Sequence, residues 1–233
     1  NGSVATSINH PVQIGTATDW ETIATHNNHA VAIKQNGSLW HWGNYDHNEF
    51  FLLDDPQPNI AAPVQLPGSG FKAVSASDAS NLLLKADGTL WGNGRSFHHE
   101  LGLSATFTHD ETLLFYPQPI QIGAASDWKS LASGNRFSLA LKTDGSLWGW
   151  GLDLRHSDGT FSMTPRQMGT DIEWIRVTAG LDHGLGLKTD GTLWGWGSNM
   201  EGQLADATLP NIITHPAQIG DDNDWESVHS KYK

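Results

Sequence analysis

Cysteine is absent from the 233 residues, so neither a disulfide framework nor a thiolate metal site is open to this chain. Basic residues are scarce. Thirteen Lys and Arg stand against 25 Asp and Glu, a formal net charge of −12. A nucleic-acid phosphate track needs clustered cations, so nucleic acid is excluded as the expected partner. No apolar run approaches the roughly 20 residues of a membrane-spanning helix, and no charged-then-apolar leader is present, so no membrane role is expected. An initiator Met is missing as well. The chain opens on Asn1-Gly2 and is expected to be a mature, trimmed or partial chain. Sustained helical periodicity is also lacking, which argues against a helical fold.

What is present is repetition. Leu139-Ala-Leu-Lys-Thr-Asp-Gly-Ser-Leu-Trp-Gly-Trp-Gly151 reads as two strands about a tight turn, because Leu139 and Leu141 alternate with Ala140 and Lys142. Asp144-Gly145 is a hairpin signal, since the turn needs a positive φ that Gly accepts without steric cost. The pattern recurs as Val31-Ala-Ile-Lys-Gln-Asn-Gly-Ser-Leu-Trp40, Leu82-Leu-Leu-Lys-Ala-Asp-Gly-Thr-Leu-Trp91 and Leu185-Gly-Leu-Lys-Thr-Asp-Gly-Thr-Leu-Trp194.

A fixed lead-in precedes each copy. Pro11-Val-Gln-Ile-Gly15 precedes Asp19-Trp20, Pro63-Val-Gln-Leu66 precedes Phe71, and Pro119-Ile-Gln-Ile-Gly123 precedes Asp127-Trp128. Pro165-Arg-Gln-Met-Gly169 precedes Glu173-Trp174, and Pro216-Ala-Gln-Ile-Gly220 precedes Asp224-Trp225. The aromatic positions 20, 71, 128, 174 and 225 thus recur roughly every 50 residues, and each is followed by a short apolar strand. Four short strands per repeat, with turns rich in Gly, Asn and Asp, predict an all-β fold: a β-propeller of four-stranded antiparallel blades. Residues 1–233 are read as a single propeller, with repeats at about 11–62, 63–118, 119–164 and 165–215, a partial repeat at 216–233, and 1–10 as the tail of a preceding one. The flanking pieces are expected to engage something, each other or another subunit, because bare strand edges invite self-association.

The pattern Pro-x-Gln-Ile-Gly, Asp-Trp, Ala-Gly-x-x-His, Leu-x-Leu-Lys-x-Asp-Gly-Thr-Leu-Trp-Gly-Trp-Gly, Gly-Gln-Leu resembles the regulator of chromosome condensation repeat family. The last full copy, at 179–204, matches it almost throughout. The resemblance implies a blade-type propeller, in a family that hosts unrelated activities.

It also raises light sensing, because a plant UV-B photoreceptor of the family uses clustered tryptophans on the loops after the first blade strand. The matching loops here contain no Trp; all 11 tryptophans fall on strands or strand entries, where packing is their expected task. Of the 12 histidines, the densest groups are His41 with His47, and His98 and His99 with His109, and none has the spacing of a metal site. No metal or cofactor is therefore expected. Asp87, Asp144 and Asp190 stand singly in turns, where Asp bonds its own backbone, and no nucleophile elbow, phosphate loop or acid–base pair accompanies them. The chain is accordingly read as non-catalytic. Asn1-Gly-Ser3 and Asn36-Gly-Ser38 fit the N-glycosylation triplet, but Asn36 occupies a turn that wants Asn in any case.

The function expected is that of a propeller scaffold binding a protein partner through its loop face. The alternatives are guanine-nucleotide exchange on a small GTPase, the founding activity of the family, and carbohydrate binding. The expected contact residues lie on the loops at 25–29, 76–80, 133–137 and 179–183, which radial repetition must gather on one face. They are Asn27, Asn28, His29, Asp78, Asn135, Arg136, Phe137, Leu181, Asp182 and His183. A varied set on a near-constant frame suits recognition. Arg136 and Phe137 are the expected anchors, because Arg and aromatic residues dominate interface energetics. The resemblance agrees, since a β-lactamase inhibitor of the family binds through aromatic residues in the corresponding loops.

Overall fold

A computed structural model describes residues 10–26, 29–44, 59–78, 80–103, 115–152, 154 and 158–230. Its strands form four antiparallel four-stranded sheets, and no helix occurs among the described residues. Blade 1 is β1 (Trp20–His26), β2 (His29–Lys34), β3 (Leu39–Asn44) and β4 (Asn59–Gln65). Blade 2 is β5 (Phe71–Ala76), β6 (Ser80–Lys85), β7 (Leu90–Arg95) and β8 (Phe115–Gln121). Blade 3 is β9 (Trp128–Ser133), β10 (Phe137–Lys142), β11 (Leu147–Gly151) and β12 (Ser162–Gln167). Blade 4 is β13 (Trp174–Ala179), β14 (His183–Lys188), β15 (Leu193–Ser198) and β16 (Ile212–Gln218). Within every sheet the strands lie in chain order.

The four-strand count per repeat agrees with the sequence reading, but its phase moves by one strand. The Pro-x-Gln strand closes the blade before it rather than opening the next. Gln65 pairs with Trp40, Gln121 with Trp91, Gln167 with Trp148 and Gln218 with Trp194. Proline lacks an N–H, so an outer edge strand is where a sheet tolerates it.

The hairpin motif owes its constancy to a relay. In blade 3 the Asp144 carboxylate accepts from the Ser146 amide (2.9 Å) and hydroxyl (2.7 Å), and the Ser146 hydroxyl accepts from Trp148 Nε1 (2.8 Å). Asp87-Thr89-Trp91, Asp190-Thr192-Trp194 and Asn36-Ser38-Trp40 repeat it. The lysine of each motif lies over the two aromatic rings beside it, Lys142 at 5.0 Å from Trp128 and 4.4 Å from Trp148. In blades 1, 3 and 4 its ammonium also reaches an aspartate before the first strand: Lys34 to Asp19 (2.9 Å), Lys142 to Asp127 (3.2 Å) and Lys188 to Asp171 (2.6 Å). The tryptophans therefore sit in the blades as packed clusters: Trp128 stands edge-on to Trp148 at 5.6 Å, with Trp150 at 6.3 Å.

Neighbouring blades are stitched at the hairpin end. The carbonyls of Gly37, Gly88 and Gly145 accept from the amides of Phe71, Trp128 and Trp174 in the following blade. Gly191 does the same for Trp225, which leads the stretch 225–230 alongside blade 4. Ser230 bonds Thr178 of β13 through its amide (3.2 Å) and hydroxyl (2.9 Å). The same kind of bond joins blades 2 and 3, where the Ser133 amide donates to the Ser75 hydroxyl (3.0 Å). Residues 225–230 thus lie where the innermost strand of a further blade would run. The four innermost strands and Ser230 line a trough of about 470 Å³.

Blade 1 carries one substitution of note. Gly92, Gly149 and Gly195 occupy equivalent register positions, and at each a Cβ would overlap a leucine from the connection that follows, Leu101, Leu154 or Leu204. Blade 1 has His41 there, 2 % exposed, so an imidazole stands where the other blades keep a bare backbone.

Candidate functional site

In blades 2, 3 and 4 the first strand ends in a turn and the third ends at the same rim, because the strands alternate in direction. Asp78 and the turns at 135–136 and 181–182 therefore share one face with residues 96–103, 158–161 and 199–211, which follow the third strands. The opposite end carries the Asn-Gly and Asp-Gly hairpins. The turns are closed by backbone: Ser77 donates to the carbonyl of Ser80, Gly134 to that of Phe137, and Gly180 to that of His183. A further bond from the Asn135 amide to the Leu181 carbonyl (3.1 Å) ties the turns of blades 3 and 4 together.

The ten expected contact residues divide. Asn27 and Asn28 lie outside the described residues. Asp78, Arg136 and Leu181 are exposed, and Asn135 and Asp182 are half-exposed. These five comprise one cation, two carboxylates, one amide and one exposed leucine. Phe137 requires correction as an anchor. It is 1 % exposed, belongs to the core shared by blades 3 and 4, and its ring lies over Gly134, where a Cβ would overlap it. Its apolar surface is already buried inside the protein, so none remains for a partner. The His183 ring lies over Gly180 in the same way. The two rings are props for their own turns.

His29 is also turned inward, at 6 % exposure. Burial holds its pKa down to about 4, partly offset by a hydrogen bond with Asn81. His41 is likewise held at about 4, by burial and by the proximity of His29. Sequence reasoning passed over His26. It stands with its ring 6.3 Å from His29 and its Nδ1 3.8 Å from the Asp78 carboxylate of the next blade. Burial lowers its pKa too, and the Asp78 charge opposes that. The signal was in the sequence: His26 and His29 bracket the turn as Ser77 and Ser80 do in blade 2, so position alone pairs them. The three imidazoles are thus neutral near pH 7 and fill the junction of blades 1 and 2. No group of three or more His, Asp or Glu among the described residues is arranged to hold a metal ion. The turn aspartates Asp87, Asp144 and Asp190 are engaged by their own hydroxyl and amide donors, which hold their pKa values below the ordinary carboxylate range.

The regulator of chromosome condensation (RCC1) repeat family model matches residues 128–156 and 174–203, the hairpin halves of blades 3 and 4. Blades 3 and 4 each carry a regulator of chromosome condensation repeat. Over 129 residues it is 31 % identical to the ultraviolet-B receptor UVR8 of Arabidopsis thaliana, covering 53 % of this chain and 27 % of the receptor. Over 149 residues it is 24 % identical to the guanine nucleotide exchange factor SRM1 of Saccharomyces cerevisiae, covering 59 % of this chain and 31 % of that protein. The fold superposes on Prp20p of Saccharomyces cerevisiae with a TM-score of 0.76 at 17 % identity, over 91 % of this chain and 53 % of that one. The chain therefore matches less than a third of the length of these sequence relatives and about half of the solved propeller. Blades 1 and 2 fall outside the family-model match. They are also the blades with His41 in place of glycine, and with Phe71 and Asn93 at positions where blades 3 and 4 carry Trp.

Proposed function

We propose that this chain is a non-catalytic scaffold that binds a protein partner through the face carrying the inner turns and the long connections. The observation that carries the reading is the division between its two ends. At the hairpin end the motif residues are engaged in relays and stitches between blades, with nearly the same residues in every repeat. At the other end Asp78, Asn135, Arg136, Leu181 and Asp182 occupy equivalent turns, differ from blade to blade, and leave side chains in solvent. Packing explains the uniform end and places little demand on the varied one. Among proteins of the same fold, Prp20p has been studied for binding to Gsp1p and histones, which supports a protein as the partner class.

The test is capture from the native source with the intact chain and with an Asp78→Ala, Arg136→Ala, Asp182→Ala variant. Proteins retained by the parent should be lost from the triple variant, whose thermal midpoint should stay close to the parent's because none of the three side chains is buried. Retention by both would send the site to the other end.

The second reading is guanine-nucleotide exchange. It is favoured by the similarity to SRM1, which is named for that activity. Release of labelled nucleotide from a panel of small GTPases separates the two readings. Acceleration by this chain would replace the scaffold reading.

A further inference from the structure

The junctions between blades differ on the loop face. Between blades 2 and 3 backbone fills the gap. The Glu100 carbonyl accepts from Ser138 Oγ (2.6 Å) and Trp150 Nε1 (2.9 Å), and the His98 carbonyl accepts from the Leu152 amide (3.0 Å). Between blades 3 and 4 no such closure is made by the described residues. Gly184 stands where blade 3 has Ser138, and Trp196 Nε1, equivalent to Trp150 Nε1, is buried with no acceptor among the described residues. A pocket of about 350 Å³ opens there, walled by Leu152, Leu154 and Phe161 from blade 3 and by Asp182, Met200 and Ile212 from blade 4.

Three of those walls are large apolar side chains left in water: Phe161 is 42 % exposed, Met200 69 % and Ile212 61 %. Single exposed apolar residues are ordinary on a protein surface. Three from separate segments converging on one concavity are not, and such patches mark interaction sites. Methionine adds a flexible, polarisable wall suited to varied apolar guests. The lip is acidic. Asp182 is the charged residue among the walls, its side chain 42 % exposed, and the whole chain carries a net charge of −12. That field attracts cationic partners and repels anionic lipid surfaces.

We infer that this pocket seats an apolar side chain of a partner protein, flanked in the partner by a Lys or Arg that meets Asp182. The inference rests on the loop-face reading above and names the place on that face. It is tested with a phage-displayed library of random dodecamers panned on the whole chain. The enriched sequences should carry an aliphatic or aromatic residue with a basic residue within two positions. Synthetic versions should lose affinity about tenfold or more on Met200→Asp or Ile212→Asp, and several-fold on Asp182→Asn in a salt-dependent way. Gln35→Ala, at the hairpin end, should leave affinity unchanged. Thermal midpoints of all four variants should match the parent, since these side chains lie on the surface. Enriched peptides without basic residues, or with affinity indifferent to Met200 and Ile212, overturn the pocket. If their affinity depends instead on Asp78 and Arg136, the loop face stands and only the pocket falls. If no peptide is enriched, or binding depends on Gln35, both fall.

Discussion

Gly145 and Gly169 both have positive φ, 85° and 72°, yet replacing them should have very different consequences. At Gly169 a Cβ would meet nothing within 4 Å, so only the backbone conformation resists substitution. An L-residue other than Asn or Asp is strained there by about 1–2 kcal/mol, and Asn, which visits this region readily, by less. At Gly145 a Cβ would overlap the carbonyl oxygen of Ile172, in the connection to blade 4. The Gly145 carbonyl also accepts from the Trp174 amide (3.2 Å), and Trp174 is 2 % exposed in the core. Pushing Ile172 away strains that stitch, worth about 1 kcal/mol, and loosens a packed indole. Gly145→Ala should therefore destabilise by about 3 kcal/mol or more, and Gly145→Asn by nearly as much, because Asn relieves the φ strain and leaves the overlap. Gly169→Ala should cost about 1 kcal/mol and Gly169→Asn about 0.5 kcal/mol or less. Urea denaturation followed by tryptophan fluorescence measures all four. A Gly145→Asn variant as mild as Gly169→Asn would show that only the turn conformation matters and that the approach of Ile172 is not a constraint.

Ser146→Ala should destabilise by about 1–2 kcal/mol, because it strips Trp148 Nε1 of its acceptor and Asp144 of a donor, while Ser146→Thr, the residue two other blades use, should be near neutral in the same urea titration. His29 and His41 have folded pKa values near 4 against an ordinary 6.5, so the unfolded chain takes up protons that the folded one refuses, and stability falls as pH drops from 6.5 toward 4. By pH 5 the loss should be about 2 kcal/mol for each of the two, ahead of any loss from the turn aspartates, whose lowered pKa values act only below the usual carboxylate range. His41→Leu should make the fall in thermal midpoint between pH 7 and pH 5 clearly smaller, though by less than half because His26 and His99 are also held down by burial, and an unchanged fall would refute the assignment. Phe137→Ala should destabilise by about 3–5 kcal/mol through loss of a buried ring, whereas Arg136→Ala should move the thermal midpoint hardly at all.

The architecture was legible because the repeat is held by local chemistry. The Asp, Gly, Ser or Thr, and Trp of the hairpin contact one another within a few residues, so their spacing survives in the sequence as a motif. The phase of the blade was not legible in the same way. Whether Pro63-Val-Gln closes one sheet or opens the next depends on pairing between Gln65 and Trp40, and a periodic sequence reads equally well from any starting point. The connection after β7 shows the opposite case, a shared geometry hidden by changed residues. Ser96 accepts from the Leu101 amide as Asn199 does from the Leu204 amide, and His99 takes φ 59° where Gly202 has 75°. The loop keeps its shape with His in the place of glycine, a substitution that a reading based on turn residues passes over.

Phe137 and Arg136 differ for a reason that no linear pattern carries. They are adjacent, both follow a glycine and an asparagine, and both are residue types favoured at interfaces. The turn Gly134-Asn135-Arg136-Phe137 is closed by the amide of Gly134 on the carbonyl of Phe137, so its two central side chains point away from the sheet and its last one rejoins it. Asp78 and Asp182 are central in their turns, as Arg136 is; Ser80, His29 and His183 are terminal, as Phe137 is. Exposure follows that division: the central residues lie in solvent or half in it, while Ser80, His29 and Phe137 are buried and His183 lies over Gly180. Variation among the terminal residues is thus variation in how each blade props its own turn, and only the central residues vary in contact with water. Recognition by varied residues on a constant frame therefore falls to the second set alone, Asp78, Asn135, Arg136, Leu181 and Asp182.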